Sequence, residues 1–418
     1  MAIMEGTSAA PRSASGGVAQ MPQLGFFRGR FGKWLGLSQY GFPFAIGRYA
    51  TPVGRFRALA RRTRFSHFGK TRRLLVILAM TLGWPFGAFA TALRTFRQAR
   101  ARGQDYSLRQ CADMYWLALR HSIPPLEYAL YRFEDPARRK DMNEYVYWND
   151  LPGLAALIAL SGADNRDVQD KDRFAQICAG HGLPHVKTLA VFDRGEQIFP
   201  AAPFLPDLPK LWTKSLRLKG GAGGASWIRH GDGYRNRDGR VVAAVDLARE
   251  FRRQDCLVQP LIENHPDIAR VSNGALAALR VVAGINEKGA AELVAALIGL
   301  PQGNRETSVA GILCSIDLQT GCIRFGSGPV GQPVPRHPDT GEAIVGIKLP
   351  FWRESVALAL RAHAAAFARF PFLGWDIALT ADGPILLETN SGWGAMFHQM
   401  LDGPLGRTAF SRLVSRYV

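Results

Sequence analysis

GWDIALTADGPILLETN, Gly374 to Asn390, reads as two strands folded back on a tight turn. Apolar residues fill both arms, and Ala381-Asp382-Gly383 supplies a three-residue loop whose last position suits a glycine in the left-handed conformation. In that register Asp376 lies opposite Glu388, and the two-residue period of a strand brings Asn390 to the same face. Like charges directly opposite one another destabilise a sheet unless a cation lies between them. Oxygen ligands are what Mg²⁺ prefers, so the three side chains form a candidate metal site.

Working upstream, KLWTKSLRLKGGAGGASWI (residues 210–228) carries a short apolar strand that delivers Lys214 and then the loop Gly220-Gly221-Ala222-Gly223-Gly224. Glycines let backbone N–H groups approach phosphate oxygens closely, and a lysine adds positive charge. Further upstream, DKDRF sets Lys171 at the start of a helical stretch. Taken singly, the glycines read equally well as a surface loop, and Lys171 as a solvated side chain. Apolar runs at Val258–Ile262, Leu279–Ile285, Leu293–Leu300 and Ile312–Leu318 read as strands between glycine-containing turns. Phe351 to Phe370 has helical spacing, with His363 on its apolar stripe as a packed side chain.

The order of these elements resembles the ATP-grasp superfamily: an early Asp-Lys before a helix, a strand ending in lysine before a glycine-rich loop, a hinge strand, and a late D…E-x-N hairpin. More narrowly, DKDRFAQICAGHGLP, SNGALAALRVV, ILCSIDLQTG, HPDTGEAIVG, LPFW and HQMLDGPLG resemble the sugar-transfer-associated ATP-grasp group, over roughly residues 105–410. The resemblance implies an α/β fold of two α+β subdomains closing on ATP. It implies Lys171 and Lys214 as phosphate contacts, and Gly220, Gly221, Gly223 and Gly224 as a lid over the phosphates. Gln259, Pro260, Leu261 and Ile262 would be the hinge strand whose backbone meets adenine. Arg280 would face the phosphate and acyl groups, and Asp376, Glu388 and Asn390 would hold Mg²⁺ or Mn²⁺. Two departures stand out. Many relatives have glutamate where Gln259 stands, and several carry arginine where Gly374 stands, which leaves Arg280 as the main neutralising cation, with Lys219 as a further phosphate contact.

The chain has 418 residues, 47% apolar and 21% charged, enough for more than one globular domain. Its five cysteines are scattered without C-x-x-C spacing, as expected of reduced thiols in the cytoplasm. Of the net +18, residues 1–110 hold +16, with only Glu5 and Asp105 as acids, so a basic N-terminal region precedes a nearly neutral body. Residues 1–25 read as a disordered tail and 26–104 as a basic region. Residues 105–164 read as a helical connector and 165–418 as the ATP-grasp domain. The uncharged stretch LLVILAMTLGWPFGAFATAL, Leu74–Leu93, has basic residues on both sides. Three placements are open: spanning a bilayer, lying on its surface or re-entering it, or packing as a buried helix pair broken at Gly83-Trp84-Pro85.

The expected activity is ATP-dependent ligation, in which a carboxylate becomes an acyl phosphate and an amine displaces phosphate. The substrates would be small-molecule or glycan-linked. A kinase acting on a sugar or lipid-linked hydroxyl, and a non-catalytic ATP-binding module, are the alternatives. An anionic membrane surface is the expected partner, on the inner face of the cell membrane. Nucleic acid is not expected, because the basic region lacks any binding motif.

Overall fold

The computed structural model describes residues 50–63, 68–216, 223–308, 311–328 and 331–418. The stretch read as a tail, 1–25, lies outside them, as do Lys219, Gly220 and Gly221. The apolar runs become two antiparallel sheets. In the first, β1 (Ala190–Asp193), β2 (Glu196–Phe199), β3 (Lys210–Ser215), β4 (Ala225–His230), β5 (Gly233–Asn236), β6 (Val241–Ala243) and β7 (Cys256–Pro260) run in the order β2-β1-β7-β3-β4-β5-β6. In the second, β8 (Ala278–Ile285), β9 (Ala291–Leu300), β10 (Ile312–Ile316), β11 (Ile323–Ser327), β12 (Phe372–Thr380) and β13 (Gly383–Asn390) run in the order β11-β10-β9-β8-β12-β13.

Around the sheets lie α1 (Pro52–Thr63), α2 (Lys70–Ala101), α3 (Leu108–His121), α4 (Pro125–Tyr131), α5 (Pro152–Ser161), α6 (Lys171–Gly180), α7 (Ala244–Arg253), α8 (Trp352–Ala366), α9 (Ala395–Asp402) and α10 (Ala409–Val414). The strand period decides which layer each sheet face meets. Leu279, Val281, Ala283, Leu373, Trp375 and Ile377 point to a core shared with α6 and α8. The intervening Val282 and Phe372 point the other way, to a core that includes Val53 and Phe56 of α1, Leu154 of α5 and Phe410 of α10. Leu297 on that same face meets Phe96 of α2, Met114 of α3 and Met396 of α9. Helices α1, α2, α3 and α5 therefore pack, with α9 and α10, on part of the face of the second sheet that also carries Arg280 and Asp376.

Two local expectations are refined and one is met. Helix α8 begins at Trp352, with Phe351 at φ +52 before it, and ends at Ala366. Phe367 and Phe370 instead turn in to join the core around Trp375. His363 is packed as expected, its Nε2 set 2.9 Å from the Phe370 carbonyl. Helix α2 is unbroken through Pro85, against the reading of a helix pair divided at that point. A proline inside a helix removes one hydrogen bond and crowds the preceding turn. Here Gly83 and Gly87 flank it, and burial of Trp84 and Ala88 against Ala118 of α3 holds both sides of the proline in one line.

Candidate active site

The hairpin pairs Asp376 with Glu388 and Gly374 with Asn390, as its alternation requires. The route to that register differs from the sequence reading. Thr380 pairs with Gly383 across a two-residue loop, and the residue so gained is returned by a bulge between Asp376 and Ile377 that leaves Leu387 extra on β13. The bulge has a chemical consequence. Leu386 pairs with Ile377 on the core face, yet Glu388, two residues on, faces the opposite side with Asp376. In a regular strand those two residues would share a face.

β8 adds the third member of the row. Arg280 pairs with Asp376 in register, and its Nε and Nη2 donate to Oδ1 and Oδ2 at 2.6 Å each. Such a bidentate charge-assisted pair is the strong form of the arginine–carboxylate contact. The Asn390 amide nitrogen lies 3.4 Å from Asp376 Oδ2 and 3.3 Å from Glu388 Oε1, so the amide bridges the two carboxylates as a donor. Burial pushes the Asp376 carboxyl up, opposed by Arg280. Burial also acts upward on Glu388, but Lys214, Asn390, Arg280 and Lys171 together outweigh it and hold that carboxyl below its ordinary value.

Both lysines reach this spot from distant elements. On β3, Leu211 and Thr213 are buried while Lys210, Trp212 and Lys214 line the cleft between the sheets. Asp170 caps α6 by accepting from the N–H groups of Asp172 and Arg173, which sets Lys171 in the first turn with its ammonium donating to the Ser215 carbonyl. Burial lowers both lysines below the ordinary range, with Glu388 pulling each back up.

The cleft has a volume of about 1820 Å³, and its walls include Lys171, Lys214, Asp376, Glu388 and Asn390. Gln259, Pro260, Leu261 and Ile262 form the far wall, where the Leu261 amide is engaged by the Lys210 carbonyl at 3.2 Å. Gln259 is buried and its amide donates to the Val186 carbonyl at 3.4 Å, a bond that a carboxylate in its place cannot make. Gly223, at φ +74, and Gly224 lead directly into β4. Among the described residues, no three His, Cys, Asp or Glu side chains cluster so that they could hold a metal ion.

The structure also brings in groups that the sequence did not single out. Arg235 and Arg237 add positive charge to the cleft wall, and Glu306 accepts from the Ser226 hydroxyl at 2.9 Å across it. Gly374 has its own explanation. A Cβ built there would lie 2.4 Å from the Cβ of Trp393 and 3.3 Å from its Cα, so the close approach of residue 393 excludes any side chain at 374. His398 lies buried beside Arg280 and is pushed down to about 3 by burial and by the guanidinium, with neither ring nitrogen hydrogen-bonded. No local pattern marks these residues, because each is defined by what it meets across the fold.

Comparison with known proteins places this site in a family. Similar solved structures include N5-carboxyaminoimidazole ribonucleotide synthetase in its ADP complex, at 14% identity over 62% of this chain and 65% of that one, with a TM-score of 0.33. D-alanine–D-alanine ligase from Bacillus anthracis complexed with ATP is 13% identical over 59% and 62%, TM-score 0.29. L-amino acid ligase from Bacillus licheniformis is 10% identical over 62% and 54%, TM-score 0.32. In each case the match spans less than two thirds of the other protein's length. No curated protein matches the sequence. Residues 161–413 match the sugar-transfer associated ATP-grasp family, which is more than half of the chain and contains every member of the row from Arg280 to Glu388. The chain belongs to the sugar-transfer associated ATP-grasp family.

Proposed function

We propose that the protein is an ADP-forming, ATP-dependent ligase that joins a carboxylate to an amine. The observation that carries this reading is that Lys171, Lys214, Asp376 and Glu388 line one cleft, with both lysines acting on Glu388 and Arg280 bonded to Asp376. A cleft of about 1820 Å³ exceeds the ordinary range for one small ligand, which leaves room for an acceptor beside a nucleotide. In this reading the two lysines hold the β- and γ-phosphates, the segment from Gln259 to Ile262 lies along adenine, and Gly223 and Gly224, at the entry to β4, offer backbone to the phosphates.

Asp376 and Glu388 fit a hard cation such as Mg²⁺, with Mn²⁺ as a substitute, because they bring carboxylate oxygens together from adjacent strands; Asn390, whose amide nitrogen faces both carboxylates, would join them through its oxygen once the amide turns over. A bound cation would neutralise phosphate charge. Arg280 shares Asp376 with that role and supplies a fixed positive charge next to it. A substrate carboxylate oxygen bonds to the γ-phosphorus as the bond to ADP breaks. The amine then bonds to the acyl carbon, phosphate leaves with the C–O electron pair, and the amine proton passes to solvent. The side chains act by positioning and charge, as phosphoryl transfer generally demands.

The family's association with sugar transfer supports substrates carried on a glycan or glycoconjugate. The test is acceptor-dependent turnover followed by mass spectrometry. Equal amounts of ADP and phosphate with a dehydrative gain in product mass support the proposal. Stoichiometric AMP overturns the acyl-phosphate route, and a product heavier by one phosphate reassigns the chemistry to a kinase.

A further inference from the structure

We infer that α2 is an in-plane membrane anchor that seats the protein on an anionic bilayer. Leu75, Leu78, Leu82, Phe86 and Phe89 recur at steps of three or four, which keeps them on one face of the helix, and each is more than half exposed. The stripe runs for roughly 21 Å at the rise of an α-helix. Contiguous apolar surface of this kind marks an interaction site on a folded protein. On the opposite side Met80, Trp84 and Ala88 are buried, the latter two against Ala118 of α3.

Charge identifies the occupant. Lys70, Arg72 and Arg73 are exposed in the first turn of α2, which contains no acid, and the chain has no acid at all between Glu5 and Asp105. Cations at a helix N-terminus face the positive end of its dipole, an unfavourable arrangement that anionic phosphates offset. A basic end joined to an apolar stripe fits lipid headgroups above acyl chains. A second copy of the chain fits poorly, because Arg94 and Arg97 follow the stripe and pairing in either direction sets cations against cations. A spanning arrangement would strip Trp84 and Ala88 from α3, whereas an in-plane one leaves that contact intact.

The experiment is flotation of the full-length protein with vesicles of phosphatidylcholine alone or mixed with phosphatidylglycerol. We expect flotation that depends on phosphatidylglycerol and weakens in high salt. The double change Leu82→Glu and Phe86→Glu should reduce it at least about tenfold without altering the melting temperature, since both side chains are exposed. The pair Arg72→Glu and Arg73→Glu should abolish the preference for phosphatidylglycerol. Undiminished flotation of the Leu82/Phe86 variant overturns the proposal. So does wild-type protein that fails to float and is dimeric by light scattering, which would give the stripe to a second copy. Wild-type protein that resists release by alkaline carbonate would mean that the helix spans the bilayer.

Discussion

Arg280 and Asp376 stand directly opposite one another on β8 and β12, joined by two N–H···O contacts of 2.6 Å with the carboxylate almost wholly buried. Removing the guanidinium leaves that charge uncompensated. Arg280→Ala is therefore expected to cost about 3–5 kcal/mol of folding stability, the range for breaking a buried ion pair from one side. Adding Asp376→Asn should recover part of the loss. Urea unfolding of the two single variants and the double variant measures the coupling, and strictly additive effects would show that the pair is not a unit.

Glu388 belongs to the same row but has no arginine of its own. Glu388→Gln keeps the shape and removes the charge, so turnover should fall by about 10²-fold, the scale for losing a group that orders transition-state charge. The melting temperature should stay close to that of the wild type. Undiminished turnover at saturating Mg²⁺ would take Glu388 out of the site.

The two lysines should act at the nucleotide. Lys171→Ala and Lys214→Ala are each expected to weaken binding of a non-hydrolysable ATP analogue by about 1.5–3 kcal/mol, as for a lost hydrogen bond to a charged group. Burial lowers the Lys214 ammonium, so rising pH should discharge it before an exposed lysine and weaken binding at the same point. Calorimetric titrations across the alkaline range read that midpoint, and it should vanish in Lys214→Ala.

A separate pH effect arises far from the cleft. Glu127 is buried and raised to about 8 from its ordinary 4.5 by desolvation, although its oxygens accept from the Trp148 N–H at 3.0 Å and the Tyr131 hydroxyl at 2.9 Å. The folded state therefore binds a proton that the unfolded state has released. The contribution to stability is fully present below 4.5 and is lost as pH rises through about 8. Glu127→Gln should flatten that part of the stability profile. Identical profiles for the two proteins, measured by urea midpoint against pH, would exclude Glu127 as its source.

The hairpin was legible in the sequence because strand alternation ties Asp376, Glu388 and Asn390 to one face. A three-residue loop and a two-residue loop followed by a bulge give the same pairing of Asp376 with Glu388, so the local error left the site unchanged. The approach of Lys171 to Ser215 was not legible, since 44 residues separate them and only the seating of α6 brings them together. The fate of residues 74–93 was equally hidden. Their composition suits lipid and protein alike, and the divided environment of α2 depends on where α3 packs.

Trp393 and Gly374 pack so closely that the indole is not what sets the limit: a Cβ at 374 would lie 2.4 Å from the Cβ of Trp393 and 3.3 Å from its Cα. Alanine at 393 keeps that Cβ, so Trp393→Ala should make no room for Gly374→Ala, and only glycine at 393 removes the nearest atom. By melting temperature, Gly374→Ala should be destabilising alike in the wild-type and Trp393→Ala backgrounds. Positive charge beside Asp376 therefore has to come from a neighbouring strand, as it does with Arg280.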